Sequence, residues 1–157
     1  MNANKLIVGL TAAALVSVGV SVASAKSQYY ITVVPSAAPS GVDSGVSFTP
    51  GQTVAVRAQG YISVTNTQPM PLKPQQEGSE GYFTPDGALG TTSQATAPDC
   101  QLGALIGTIA GTGTWHCLGK SASFVADGTG DLILAVNDWV GAYSNNLGEF
   151  DALILAP

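Results

Sequence analysis

Downstream of residue 25 the chain is built from short runs of β-branched and aliphatic residues separated by Gly, Pro, Asn and Asp. No stretch sustains an apolar period of 3.6 residues. That pattern leaves strands as the building unit and predicts an all-β fold. The expected strands are YYITVV (29–34), GVSF (45–48), TVAVRAQGYISV (53–64), GALIGTI (103–109), SASFVA (121–126), DLILAVN (131–137) and EFDALILA (149–156). Val54, Val56 and Ala58 alternate with Thr53, Ala55, Arg57 and Gln59, which gives one apolar and one polar face. Two sheets of this kind bury their apolar faces against each other, so the expected architecture is an antiparallel two-sheet β-sandwich, jelly-roll-like. Turn chemistry marks the joints at Thr49-Pro50-Gly51, Gly111-Thr112-Gly113 and Asp127-Gly128-Thr129-Gly130. Between Thr65 and Leu102 no strand is expected. A connection of that length in a compact domain is functional or disordered.

The first 25 residues stand apart. Lys5 precedes the apolar run LIVGLTAAALVSVGV, which leads to Ala23-Ser24-Ala25. This reads as a secretory signal peptide over 1–25, followed by one domain over 26–157 in a secreted or periplasmic protein. Gly9, Ser17 and Gly19 interrupt the run, which is short for a transmembrane span, so membrane insertion is not expected. The formal net charge is −5, and loss of Lys5 makes it one unit more negative. An acidic chain of this kind is no nucleic-acid binder. Its two cysteines, Cys100 and Cys117, are expected to pair in an oxidising compartment.

Several chemistries are excluded by what is missing. A Ser-His-Asp triad would have to use His116, whose neighbours Trp115 and Cys117 suggest strand packing beside a disulfide. There is no P-loop and no G-x-G-x-x-G. Glu77, Glu80, Asp86 and Asp138 are carboxylates available to a glycoside hydrolase, but nothing fixes their separation. The span from Asp127 to Asp138 has the length of an EF-hand loop, yet its sixth position is Leu132 where that loop needs Gly. The expectation is a protein that is not an enzyme.

One loop does carry chemistry. Asn137-Asp138-Trp139-Val140-Gly141-Ala142-Tyr143-Ser144-Asn145-Asn146 places a carboxylate and two side-chain amides in one turn, and Gly141 lets the chain curl so that a carbonyl near Ala142 turns inward. Hard cations such as Ca²⁺ take six to eight oxygens from carboxylate, amide and backbone carbonyl. The same residues also make turns through their own local hydrogen bonds. If a cation sits here with one carboxylate, it stays electron-poor, and vicinal hydroxyls of a sugar can fill its open positions. Trp139 is placed to stack on an apolar sugar face or to anchor the loop.

At this loop the chain resembles the PA-IL-like bacterial lectins, small β-sandwich proteins, similar to galactose-binding domains, that bind galactose through Ca²⁺. FTPGQTVAVRAQGYISV (48–64), CQLGALIGTIAG (100–111) and SFVADGTGDLILAVNDWVGAYSNNLGEF (123–150) follow the family's order. The resemblance implies a calcium ion held by the side chains of Asp138, Asn145 and Asn146 and by the backbone carbonyls of Val64 and Ala142. It implies sugar contacts from Asp138, Asn145, Asn146 and Asp86. The family's sugar-contacting His-Pro-Asp-Gln stretch is matched by Thr84-Pro85-Asp86-Gly87, so its His and Gln contacts are absent. The expected function is calcium-dependent binding of galactosides or other glycans. The alternative is a structural or cell-surface interaction module that has lost sugar binding. The family also implies a homo-oligomer.

Overall fold

The computed structural model describes residues 28–64, 82–87 and 90–156. The expected signal peptide, Glu77 and Glu80 lie outside the described residues. Among the described residues nine strands form two antiparallel sheets, with one 3-10 turn at Tyr143–Asn145. The strands are β1 (Gln28–Pro35), β2 (Val42–Phe48), β3 (Thr53–Ser63), β4 (Tyr82–Phe83), β5 (Leu105–Ile109), β6 (His116–Cys117), β7 (Ser121–Val125), β8 (Gly130–Val136) and β9 (Leu147–Ala156).

The first sheet runs β1-β9-β3, and the far edge of β3 is shared by β7 over its first half and β4 over its end. The second sheet runs β2-β8-β5-β6. The alternation read in 53–59 decides which side of β3 faces in. Val54 and Val56 are buried and Arg57 and Gln59 are exposed. The same two-residue period buries Thr32 and Val34 in β1, and Phe150, Ala152 and Ile154 in β9. Phe48, Leu132, Leu134, Leu105 and Ile109 come from the second sheet, and one core unites both sets. The molecule is therefore the two-layer β-sandwich that the patterning predicts. Each large core side chain contributes about 1.5–3 kcal/mol through its burial.

The strand limits differ from expectation in instructive ways. β2 starts at Val42, three residues early, because its register slips between Asp43 and Ser47 and the irregular stretch still pairs with β8. β4 and β6 are two-residue strands, too short to show any period in sequence. β6 carries Cys117, which is bonded to Cys100 with a Cα–Cα distance of 5.4 Å. Its neighbour His116 stacks on Phe124, ring centroids 3.9 Å apart, so the histidine packs against the strand as its surroundings predicted. The disulfide closes a loop of 17 residues and stabilises the fold by roughly 3 kcal/mol in the chain-entropy picture. Among the described residues no helix is long and apolar enough to cross a membrane.

Candidate functional site

The last turn before the loop is set by Asn137, where β8 ends. Its backbone extends the ladder with β5, its N–H donating to Ala104 O at 2.8 Å and its carbonyl accepting from Gly103 N at 2.8 Å. Its side chain is completely buried. Oδ1 accepts from Ala97 N at 2.9 Å, and Nδ2 donates to the carbonyls of Ala97, Cys100 and Gln101 at 2.9–3.1 Å. One amide thus binds four groups of an irregular segment and is the partner of two of them, Ala97 N and Cys100 O, while Ala97 O and Gln101 O also accept from Cys100 N and Ala104 N. Cys100, inside that segment, carries the disulfide.

Asp138 follows, with its side chain on the opposite side, as adjacent strand-like residues require. It is 6% exposed. Oδ1 accepts from the N–H of Trp139 at 2.7 Å, and its carbonyl takes the N–H of Thr96 at 3.0 Å. Oδ2 is buried and has no hydrogen-bond partner among the described residues. The loop is then closed by Tyr143, whose hydroxyl donates to Val136 O at 3.2 Å and lies 3.4 Å from Asp138 O and 2.5 Å from Thr96 Oγ1. Burial pushes the Tyr143 phenol above its usual range, so it stays protonated and holds these contacts at neutral pH. Its own carbonyl accepts from Asn146 N at 3.1 Å. Tyr143 therefore draws the two ends of the loop, Asp138 and Asn146, into one closed turn. Gly141 permits this, at φ +91° with open space around its Cα.

Asn146 is 4% exposed, and its orientation is forced. Nδ2 donates to Ser36 O at 3.0 Å. Ser36 O is an acceptor, so the amide nitrogen must face it and the oxygen must face away. That oxygen, Oδ1, is also buried and without a partner among the described residues. Ser36 is itself fixed, its N–H and hydroxyl both bonding Gly148 O at 3.0 and 2.9 Å. Val64 is half-buried. It lies one step beyond the Ser63–Leu147 pair of β3 and β9, which sets it opposite Asn146. Ala142 is half-buried and Asn145 exposed at the rim.

Two buried acceptor oxygens without donors are an exception to the rule that interior polar atoms are paired, at a cost of about 1–3 kcal/mol each. Both belong to the same loop, and both are hard oxygen donors suited to a cation of the Ca²⁺ or Mg²⁺ type. Among the described residues no three of His, Cys, Asp and Glu gather, so sites built from such clusters are not present there. A cation in this loop would rely on amide and carbonyl oxygens around one carboxylate.

The model of the PA-IL-like protein family matches residues 30–156, nearly all of the described chain. The chain belongs to the PA-IL-like family. A solved structure described as the EclA N-terminal domain, a PllA-like lectin, superposes on this PA-IL-like protein with a TM-score of 0.60 and 16% identity. The match covers 82% of this chain and 96% of that one. At that identity the likeness establishes the shared sandwich fold. No curated protein matches the chain.

The remaining predicted residues of this PA-IL-like protein fall around the loop unequally. Trp139 is 48% exposed and Val140 is 78% exposed, and both are tied by backbone to the neighbouring segment, Trp139 bridging Ala95 and Val140 N donating to Gln94 O at 3.0 Å. The loop is thus anchored through its backbone, which leaves the indole at the rim. Asp86 bridges Ala104, which in turn pairs with Asn137, so its backbone lies two strand spacings, about 10 Å, from that of Asn137. Its carboxylate is turned to the 119–120 turn, where Oδ1 accepts from Lys120 N at 2.8 Å and Oδ2 pairs with Lys120 Nζ at 3.1 Å. The Lys120 N–H is the main cause that holds the Asp86 carboxyl below its usual range, against a smaller opposing effect of burial. Thr84 is 6% exposed. Gly87 has φ +65°, and a Cβ there would stand 2.5 Å from Leu102 O. No side chain fits position 87, so a glutamine contact cannot be rebuilt on this backbone.

Sequence reasoning did not assign Asn137, Ser36, Thr96 or Tyr143 a role at the site. For Asn137 and Tyr143 a signal existed, since both lie inside the loop that stands out for its Asx residues. Ser36 and Thr96 are 110 and 47 residues from their partners Asn146 and Tyr143, and nothing local marks them.

Proposed function

We propose that this protein is a calcium-dependent carbohydrate-binding module with no catalytic step. The observation that carries the reading is the pair of buried, donorless oxygens, Asp138 Oδ2 and Asn146 Oδ1, in one closed turn. A divalent cation satisfies both at once, together with Asn145 Oδ1 and the carbonyls of Val64 and Ala142, and a single carboxylate leaves it with net positive charge. Such an ion takes neutral vicinal hydroxyls as further ligands. Membership of the PA-IL-like family and the lectin described for the structural neighbour support a glycan as the partner. On this reading Trp139 stacks on the apolar face of the sugar while Asn145 and Asn146 contact its hydroxyls.

A galactose-like ligand remains the first to test, with a rim that differs from the family pattern. Thr84 is buried, Gly87 admits no side chain, and Asp86 is engaged by Lys120. Selectivity would therefore rest on the cation and on Trp139. The test is calorimetry against a panel of monosaccharides in millimolar calcium, repeated after chelation. Binding that appears with calcium and vanishes with chelator is expected, and glycan binding that survives complete calcium removal would refute the mechanism.

The same three rim residues favour one second reading, an interaction module that keeps the cation and has lost the sugar. It is distinguished by a calcium-dependent rise in melting temperature together with a blank glycan array in calcium. A secreted or periplasmic location, reached through cleavage after Ala25, accords with the disulfide.

A further inference from the structure

Among the described residues the far edge of β3 is covered at both ends and bare in between. β7 pairs with Thr53–Arg57, and Lys120 just before it takes the Ala58 N–H on its carbonyl at 2.9 Å, while β4 pairs with Ile62 and Ser63. Continued in its own register, β4 would set Thr84 opposite Tyr61 and Pro85 opposite Gly60. Proline has no N–H to give to a ladder, so the strand stops and a notch opens beside Gln59, Gly60 and Tyr61. The Asp86–Lys120 pair closes the outer side of this notch, because it fastens the 119–120 turn to the 84–87 turn.

The notch is a hollow of about 460 Å³, lined by Gln59, Tyr61, Thr84, Pro85, Lys120 and Asp151, and its size is that of a small-molecule site. Thr84 and Pro85 are buried and make a firm wall, whereas Tyr61, Gln59 and Asp151 are exposed. Gln59 and Asp151 are direct cross-strand neighbours on β3 and β9. The side chains of Gln59, Tyr61 and Asp151 make no hydrogen bond or ion pair among the described residues. The hollow therefore offers an acceptor in Asp151, a donor in Lys120, and groups that do both in the Gln59 amide and the Tyr61 hydroxyl. Sugar hydroxyls donate and accept in the same way, and a partly open aromatic ring suits the C–H face of a pyranose. Because the Lys120 ammonium is already paired with Asp86 and Asp151 adds a negative charge, the hollow favours a neutral ligand over an anion. Val64, whose carbonyl the proposed cation would use, lies three residues beyond Tyr61 along the same chain direction, about 10 Å away at the rise of a strand.

We propose that the notch between β7 and β4 is a second sugar subsite and that the ligand of this protein is an oligosaccharide. Its terminal unit sits on the cation, and an inner unit lies in the notch with its ring against Tyr61 and its hydroxyls on Asp151 and Gln59. The inference rests on the calcium reading and extends it from a single sugar to a chain. The contacts in the notch are solvent-exposed, so they add affinity to a chain already seated on the cation and do not retain a free monosaccharide.

The test is calorimetry of the full chain in millimolar calcium with galactose, lactose and two galactose-terminated tetrasaccharides, one α-linked and one β-linked at the terminal unit. At least one tetrasaccharide is expected to bind about tenfold tighter than galactose, and chelation should abolish binding of every probe. Tyr61→Ala should remove about fivefold of that gain, and Tyr61→Phe should keep the stacking share. Asp151→Asn should remove about threefold. All three variants change exposed side chains, so the calcium titration, the galactose affinity and the melting temperature should match wild type. The two possible failures are separable. If no probe binds in calcium, the calcium reading falls and this proposal with it. If galactose binds and neither tetrasaccharide binds tighter, or if the gain survives both Tyr61→Ala and Asp151→Asn, the subsite alone is overturned.

Discussion

Asp138 and Asp86 flank the same pair of strands, yet the fold treats them in opposite ways. Asp86 is half-exposed, with one oxygen bonded to Lys120 N and the other paired with Lys120 Nζ. Asp138 is buried, with one oxygen on the Trp139 N–H and the other facing no donor among the described residues. A carboxylate whose oxygens are both satisfied has a structural task, here to fasten the 119–120 turn to the 84–87 turn. A buried carboxylate with an idle oxygen, in the same turn as a buried amide with an idle oxygen, has no such task in the fold, and on the proposed reading it awaits a cation. The difference is one of position along the β8–β5 ladder, since the residue that separates them, Asn137, points its side chain into the 97–101 segment and leaves Asp138 facing the loop.

The largest effect should come from the residue on which this contrast rests. Asn137→Ala takes away the acceptor of the Ala97 N–H and the donor to the Cys100 carbonyl, while Ala97 O and Gln101 O keep the N–H groups of Cys100 and Ala104, at a cost of about 3–5 kcal/mol. Urea denaturation measures it, and a loss below about 1 kcal/mol would mean that water replaces the side chain without penalty.

Next in size is the contrast itself. Calcium at a hundred times its dissociation constant should stabilise the wild type by about 2.7 kcal/mol. Asp138→Asn should abolish that gain and leave the metal-free protein as stable or slightly more so, because an unpaired buried charge is gone. Asp86→Asn should keep the gain in full. Thermal melts of the three proteins with and without calcium decide it, and equal calcium responses in both variants would erase the distinction between the two carboxylates.

Trp139→Ala sharpens the division between ion and sugar. It should leave the calcium titration unchanged while weakening glycan binding by about 1 kcal/mol, the contribution of one stacked aromatic face. Calorimetry reads both quantities on one sample. The smallest effect is acid dependence at Asp86. Its carboxyl is lowered in the folded state from an ordinary value of 3.8, so its contribution is complete above that pH and is lost as the pH falls below it. Asp86→Asn should therefore flatten part of the stability loss below pH 3.8. The effect is small because the ion pair is half in solvent.

Much of this was legible in the sequence, for identifiable reasons. β3 carries a two-residue alternation over Thr53–Gln59, so its inward face follows from the residues alone, and β8 and β9 show as apolar runs between turn residues. The loop stood out because Asp138, Asn145 and Asn146 are grouped in a chain with few charges. The disulfide followed from an even cysteine count. β4 and β6 were not legible, since a two-residue strand has no period and exists only because β3 and β5 offer it an edge. The engagement of Asp86 by Lys120 spans 34 residues, and its cause is the chain path, which no local pattern encodes. The role of Asn137 was hidden by its neighbour. Adjacent residues at a strand end face opposite ways, and a sequence that reads Asn-Asp does not say which of the two clamps the scaffold.

The central claim is that the idle oxygens of Asp138 and Asn146 hold one cation. A crystal structure grown in millimolar calcium tests it most directly. The account predicts a single ion within about 2.3–2.6 Å of Asp138 Oδ2 and Asn146 Oδ1, with Asn145 and the Val64 and Ala142 carbonyls completing the shell. An ion-free loop in which those two oxygens instead accept hydrogen bonds from the protein or from water would contradict it.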